Sequence, residues 1–523
     1  MASKDPAKPN ILFLISDDTA TQYLGCYGAA MLTPNLDAIA ADGVRFTDAH
    51  VATPVCTPSR YTYQTGKYAH RGITPGGKES DPSDAIVQVG FNAKIKPGDP
   101  CLPTILKENG YKTGFVGKVH FGRGLGQLGC EPWPGDGDPH RPEVDAVMKK
   151  NQRLFVDEMH RIGWDEAESL TWGNIDCTKQ RKAWNHNQEW LTSGALNILD
   201  KFEGDEQPFY LTMATNVIHG PDHGRSILDL DPKATYAGML DEAPEVQPSR
   251  QSIIDRLEAE GLPVSHRTVG MLWIDDAFGA LVEKLKEMGI YDNTIIIYSA
   301  DHGVEGKWSC HSNGTHVPQL WKLPSQHNAG HRSHVLVQNI DFAPTLLDLV
   351  GITPPDDYLM DGTSIRSALE GSQEQVHNEL YFEFGSQRGI RTPKWKYLIV
   401  RYGEDDLKAM KTGMSPAINV HGGKSVSRCQ LTHPHFWDPD QIYDFYTDPD
   451  EHMNLIDWPE NTDVVADMKA RLKRYTERFN PAYPDEADPY QNSPMYRSLT
   501  QAVVRTGLSD IQENFPFYVE GSY

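Results

Sequence analysis

Asn10 to Ser16 carries an unbroken apolar run, Ile11 to Ile15, that stops at Asp17 and Asp18. Such a run predicts a strand buried on both faces with two carboxylates at its C-terminal end. The pattern returns at Thr294 to Ser299, where Ile295, Ile296 and Ile297 lead to Asp301 and His302. Ahead of that second strand, Leu272, Ala277, Leu281 and Leu285 recur at helical spacing and the stretch closes at Gly289, so a helix feeds the strand. The same alternation predicts a helix ending near Gly110 followed by a strand over Thr113 to Val119, and a further helix and strand between Trp190 and Met213. Strands alternating with helices over most of the chain define an α/β class with a large, mainly parallel sheet between helical layers.

The rhythm changes near residue 375. Leu380 to Phe384, Lys396 to Val400 and Ile442 to Phe445 predict short strands with little helix between them, and Val464 to Phe479 a helix. The division expected is a larger α/β unit over residues 1–374 and a smaller α+β unit with a short antiparallel sheet over 375–523. The end of the chain, from Pro484, shows no strong period and is read as a wrap over the body or a contact with another copy of the chain. The acidic segment Asp222 to Pro263 is read as an insertion over the sheet edge.

Composition narrows the function. The 523 residues are 39% hydrophobic and 23% charged, a folded rather than disordered profile. The net charge of −23 disfavours nucleic acid and requires any anionic substrate to meet a compact local cluster of cations or a metal. No run is apolar and long enough to span a bilayer. The short polar N-terminus gives the expectation of a cytoplasmic protein, or of a periplasmic or secreted one if a leader has been removed. Seven dispersed cysteines without a CxxC pair argue against a disulfide scaffold.

In open α/β sheets function gathers beyond the C-terminal ends of the strands, where Asp17, Asp18, Asp301 and His302 would meet. Carboxylates packed together repel unless a cation neutralises them, and hard oxygen ligands favour calcium, magnesium or manganese. Each Asp taken alone is equally well a helix cap. Pro58 fits the first turn of a helix and places Cys56 at its N-terminus, as either a reactive thiol or a plain buried residue. Gly124 to Gly129 satisfies a GxGxxG pattern, but Pro132 and Pro134 follow where the required helix would run, so it is read as a loop.

Cys56-Thr57-Pro58-Ser59-Arg60, with Thr65-Gly66-Lys67 downstream, resembles the signature of the type I sulfatases of the alkaline phosphatase superfamily. Further matches follow in the family's order: Thr33-Pro34-Asn35-Leu36-Asp37, Gly117-Lys118-Val119-His120, Ser299-Ala300-Asp301-His302-Gly303 and Tyr443-Asp444-Phe445. The resemblance implies an alkaline phosphatase-like sandwich. It also implies that a separate maturation enzyme converts Cys56 to formylglycine, whose hydrate attacks sulfur beside a divalent metal and then expels sulfate through its second hydroxyl.

By the same resemblance Asp17, Asp18, Asp301 and His302 hold the metal, with calcium the first choice and manganese or another divalent ion the alternative. Arg60 supports the nucleophile, Lys118 contacts the sulfate, and His120 is the base for the second hydroxyl. His219 and Lys307 serve the leaving oxygen, with Lys322 as the alternative to Lys307. The substrate implied is a small-molecule or glycan sulfate ester. Many sulfatases carry Asn where His302 stands, which keeps a phosphonate monoester or phosphodiester hydrolase as the runner-up and an inactive binding protein as the third reading. Trp133, Trp172, Trp184, Trp190 and His186 are candidates to hold a sugar ring, and Arg388, Arg391 and Lys424 to meet further anionic groups.

Overall fold

The computed structural model describes residues 8–73, 89–175, 180–220, 225–324, 328–413, 428–481 and 483–514. Lys424, His421, Cys177, Asp222 and the last residues of the tail lie outside the described residues.

Eight strands form the main sheet: β1 (Asn10–Ser16), β2 (Val44–Phe46), β3 (Lys112–Lys118), β4 (Glu166–Thr171), β5 (Phe209–Ala214), β6 (Thr294–Ala300), β7 (Gln319–Lys322) and β8 (His331–Ser333). Their order across the sheet is β8-β2-β7-β6-β1-β5-β3-β4. Every neighbouring pair is parallel except those made by β7, which runs against both β6 and β2. The sheet is therefore mixed and mainly parallel. All seven residues of β1 and of β6 are buried, as their apolar runs require in the middle of a covered sheet. The helices His266–Glu287 and Gln188–Phe202 pack against one another over the sheet, and Pro34–Asp42 packs on the first of them. Because β1, β3, β4, β5 and β6 point the same way, Asp17, Lys118, Thr171, Ala214 and Asp301 emerge along one edge.

A second sheet, entirely antiparallel, is built from β9 (Leu380–Phe384), β10 (Gln387–Arg391), β11 (Trp395–Val400) and β12 (Asp440–Asp444) in that order, and the helix Thr462–Phe479 packs on it. It is tied to the main body through the Glu383 amide, which donates to Ala52 O at 3.1 Å, and through a bridge between Val89 and Gly385.

Several local expectations are corrected. The tail, where the sequence shows no strong period, forms a helix, Pro494–Asn514. Its buried positions among the described side chains are Tyr496, Thr500 and Val503, so a polar member hides the helical period, and they pack on this chain's own Tyr402, Met410, Cys429 and Trp437, as the reading of a wrap over the body expects. Strand β10 and the long helix Pro142–Ile162 carry no counterpart in the sequence reading. The Gly124–Gly129 segment contains one helical turn, Leu125–Leu128. Among the described residues no helix is long and apolar enough to cross a membrane.

Candidate active site

The site assembles at the C-terminal edge of the main sheet. After β1 the chain turns through Asp18, which adopts φ 52, a conformation uncommon for a residue with a side chain. The turn is held by the Asp17 amide on Val217 O at 3.2 Å and the Ile218 amide on Asp17 O at 3.1 Å. After β6 the Asp301 amide donates to Ser16 O at 3.0 Å, and the Asp18 amide donates to Asp301 Oδ1 at 3.3 Å. Two segments nearly 300 residues apart are thereby fixed to one another by backbone.

Cys56 opens the helix Cys56–Thr65, all ten residues of which are buried. Its Sγ lies 3.3 Å from His302 Nε2 and 3.6 Å from Asp17 Oδ1. One turn later Arg60 donates through Nε to Asp301 Oδ2 at 3.0 Å and through a terminal nitrogen to Asp17 Oδ2 at 3.3 Å, and its other terminal nitrogen donates to Lys118 O at 3.3 Å. The planar guanidinium spans two carboxylates from two strands, a task its fork geometry suits.

Lys118 reaches the site because of the residue before it. Gly117 adopts φ 92, and a Cβ there would stand 1.9 Å from Ala214 O. The register between β3 and β4 shifts at Val116/Gly117, a bulge that only a residue without a side chain accommodates. Lys118 Nζ donates to Asp17 Oδ2 and to Asn174 Oδ1. Asn174 also donates through Nδ2 to His219 Nε2 at 3.0 Å, while His219 Nδ1 donates to Gly220 O at 3.3 Å. Lys307 Nζ donates to Asp18 Oδ1 at 2.8 Å. Lys322, the alternative, is buried at the other end of the sheet with Nζ on Tyr291 O at 2.6 Å, so it takes no part.

Burial opposes the charge on Asp17, but Lys118 and Arg60 outweigh it and hold the carboxyl well below the usual range. Asp18 is lowered in the same way, chiefly by Lys307 against its burial. His302 donates through Nδ1 to Gly303 O at 3.0 Å, turning Nε2 toward Asp18 Oδ1 at 3.3 Å and Asp301 Oδ1 at 3.5 Å. Burial lowers its pKa, yet Asp301, Cys56 and Asp18 raise it overall to about 9. His120 goes the other way: burial, Lys118 and Lys94 push it well below its ordinary value, leaving a neutral imidazole whose buried Nδ1 has no hydrogen-bond partner among the described residues.

The donor set suits a divalent cation. Asp17, Cys56, Asp301 and His302 offer ligand atoms within 4.8 Å of one another, all buried, and Asp18 Oδ1 stands 3.3 Å from His302 Nε2; the carboxylates and the imidazole are ligands of the hard or borderline kind. Formal charge points the same way. Asp17, Asp18 and Asp301 are matched by Arg60, Lys118 and Lys307, so once His302 gives up its proton to serve as a ligand the cluster is neutral. A divalent cation there would make it positive.

Other sequence candidates lie elsewhere. Trp172 stacks on Phe155 with centroids 4.8 Å apart, Trp190 sits in the main core, and Trp133 packs edge-on to Tyr236 at 4.8 Å, so core packing accounts for all three. His186 is buried, and Trp184 lies under the Arg181 guanidinium. Arg388 and Arg391 are buried instead of presented to an anion: Arg388 donates to the carbonyls of Gly385 and Gln387, and Arg391 pairs with Asp48 at 2.7 Å. Asn174 is the functional position absent from the sequence reading. Its only signal is its place just after β4, on the edge where the other side chains emerge.

A buried helix opening on Cys56, acidic strand ends and paired lysines along one edge of a mainly parallel sheet give the chain an alkaline phosphatase-like fold. The model of the Sulfatase family matches residues 9–352, and that of the N-sulphoglucosamine sulphohydrolase C-terminal region matches residues 300–410. The chain belongs to the sulfatase family, whose members hydrolyse sulfate esters. It is 24% identical to an N-acetylgalactosamine-6-O-sulfatase of Bacteroides thetaiotaomicron, over 89% of this chain and 93% of that protein. It is 27% identical to the human N-acetylgalactosamine-6-sulfatase, over 70% of this chain and 67% of the relative. Among solved structures, a complex with D-glucosamine-2-N,6-O-disulfate superposes with a TM-score of 0.58 at 19% identity, covering 92% of this chain and 99% of that one. A phosphonate monoester hydrolase from Silicibacter pomeroyi superposes with a TM-score of 0.55 at 17% identity, covering 90% and 95%.

Proposed function

We propose that the protein hydrolyses a sulfate ester on a carbohydrate with a nucleophile derived from Cys56. The observation that carries this reading is the thiol of Cys56 lying inside the cluster of Asp17, Asp301 and His302, next to Arg60. Oxidation of Cys56 to formylglycine by a maturation enzyme supplies a hydrated aldehyde at this position as the attacking group. A divalent cation held by Asp17, Asp18, Asp301 and His302, calcium by preference, supplies Lewis acidity toward that group and toward the sulfuryl oxygens.

The chain's own side chains do the rest. Arg60 fixes the orientation of Asp17 and Asp301 and keeps positive charge behind residue 56. Lys118 holds the sulfuryl oxygens and Lys307 stabilises charge on the leaving oxygen, where fixed cations in a buried pocket act without reorganisation. His219, protonated at Nε2 in the substrate complex, gives that proton to the departing sugar oxygen, and Asn174 is the neighbour of both His219 and Lys118 in the free site. His120, kept neutral, accepts the proton of the remaining hydroxyl when sulfate leaves.

The carbohydrate assignment is supported by the relatives, whose names point to 6-O-sulfated N-acetylgalactosamine as the first ester to assay. A panel of 6-O-, 2-O- and N-sulfated saccharides tests it. Sulfate released from a saccharide well above the rate for an aryl sulfate supports the reading, and turnover of aryl sulfate alone sinks the sugar assignment. The His302 ligand and the phosphonate monoester hydrolase fold support a second reading, hydrolysis of a phosphonate monoester by the same site.

A further inference from the structure

A second group of ligating side chains lies outside this site, where the loop that follows Lys307 meets the segment packed on the C-terminal sheet. His311, His433 and Glu451 are all buried, and each offers a ligand atom within 4.8 Å of the others. His433 is 6% exposed, and among the described residues neither of its ring nitrogens has a hydrogen-bond partner. A neutral imidazole carries one donor and one acceptor, so a buried ring with neither satisfied points to a missing ligand.

The other two residues are already oriented. The Gln441 amide donates to Phe436 O at 3.2 Å and to Asp438 O at 2.8 Å, which fixes its Oε1 as the acceptor facing His311 Nε2 at 2.9 Å. His311 therefore carries its proton on Nε2 and turns the Nδ1 lone pair inward, where it takes the Ser309 hydroxyl at 2.5 Å, the one hydrogen bond an incoming ion has to displace. A ring whose far N–H is held by a carbonyl oxygen is the usual setting of a metal-bound histidine. Glu451 adopts φ 58, and its Oε1 accepts from Lys396 at 2.8 Å and from Ser312 Oγ at 2.9 Å. Its Oε2 accepts from the Ser312 amide at 2.9 Å, so lone-pair capacity remains on that oxygen.

We propose that His311, His433 and Glu451 form a second divalent-metal site, selective for an ion of the zinc class, that ties the loop bearing Lys307 to the C-terminal sheet. Two imidazoles and one carboxylate favour such an ion over calcium, which takes six or more oxygens. This separates it chemically from the acidic site around Cys56.

Cobalt titration tests the assignment, with Co2+ as the visible probe. Full-length protein is cleared of transition metals, kept in excess calcium to fill the acidic site, and titrated as wild type, His302→Asn and His433→Phe. Phenylalanine keeps the ring that packs 4.0 Å from His311 while removing both nitrogens. One equivalent of cobalt with a visible absorption band is expected in wild type and in His302→Asn, and none in His433→Phe. His311→Gln, compared at matched near-ultraviolet circular dichroism, serves as the second variant and should also lose the band. Failure of wild type to bind cobalt overturns the proposal, as does a band that survives both His433→Phe and His311→Gln or that disappears in His302→Asn.

Discussion

Cys56 Sγ lies 3.3 Å from Nε2 of His302, a residue 246 positions further along the chain. The contact joins the first turn of a buried helix to the end of β6, and it exists because β1 and β6 are hydrogen-bonded neighbours whose ends carry Asp17 and Asp301. Chemistry at residue 56 is therefore inseparable from the state of the acidic cluster.

Arg60 is the structural key to that cluster. Its side chain and those of Asp17 and Asp301 are 2%, 0% and 0% exposed, so Arg60→Ala leaves two buried carboxylates without their shared cation. Breaking a buried pair of this kind costs about 3–5 kcal/mol, measurable by denaturant unfolding. Arg60→Lys should recover little of the loss, because a point charge does not span both carboxylates.

Chelation should abolish turnover, and added calcium should restore it. Because the ion binds only the folded chain, calcium at about 100 times its dissociation constant should stabilise the protein by about 2.7 kcal/mol, read as a rise in Tm. Unchanged turnover after exhaustive chelation would remove the metal from the account.

Lys307 and Lys322 separate function from stability. Lys307→Ala should lower kcat/KM by about 10²- to 10³-fold, the loss typical of one charge-stabilising donor. Lys322→Met should leave kcat/KM near the wild-type value and show its effect in stability, since its ammonium serves two backbone carbonyls and the Tyr291 ring at the far end of the sheet. Asn174→Ala should lower kcat and kcat/KM together, because it disturbs Lys118 and His219 at once.

Stability should fall on mild acidification through His50. Burial and Arg391 lower its pKa to about 3, against the opposing effect of Asp48 at 3.0 Å; the His316 ring lies tilted beside it at 5.3 Å and Thr315 bonds its other nitrogen. The unfolded chain, with an ordinary value of about 6.5, binds the proton first, so the folded state loses stability as pH drops from about 6.5 toward 3. His50→Gln should flatten the dependence of Tm on pH in that window. A slope unchanged by the substitution would assign the effect to other groups.

The sheet and its acidic strand ends were legible because β1 and β6 are buried on both faces, where apolar content alone marks a strand. Strand β10 was not, since of its five residues only Ile390 is a large apolar one. Arg388 and Arg391 are tolerated there because Tyr483 stacks on one and Asp48 pairs with the other, partners far away in sequence. The same two arginines looked like surface anion binders for want of those partners. Asn174 carries no motif and becomes visible only when β4 is placed beside β3. The tail helix hid behind Thr500 on its buried face.

The most direct measurement is kcat/KM for a sulfate ester and the matching phosphonate monoester on matured wild type, with Cys56→Ala as the reference. The account predicts a clear preference for sulfur and a loss of about 10⁴-fold or more in Cys56→Ala at retained fold, as for removal of other nucleophiles. A preference for phosphorus, or undiminished sulfate release by Cys56→Ala, would contradict it.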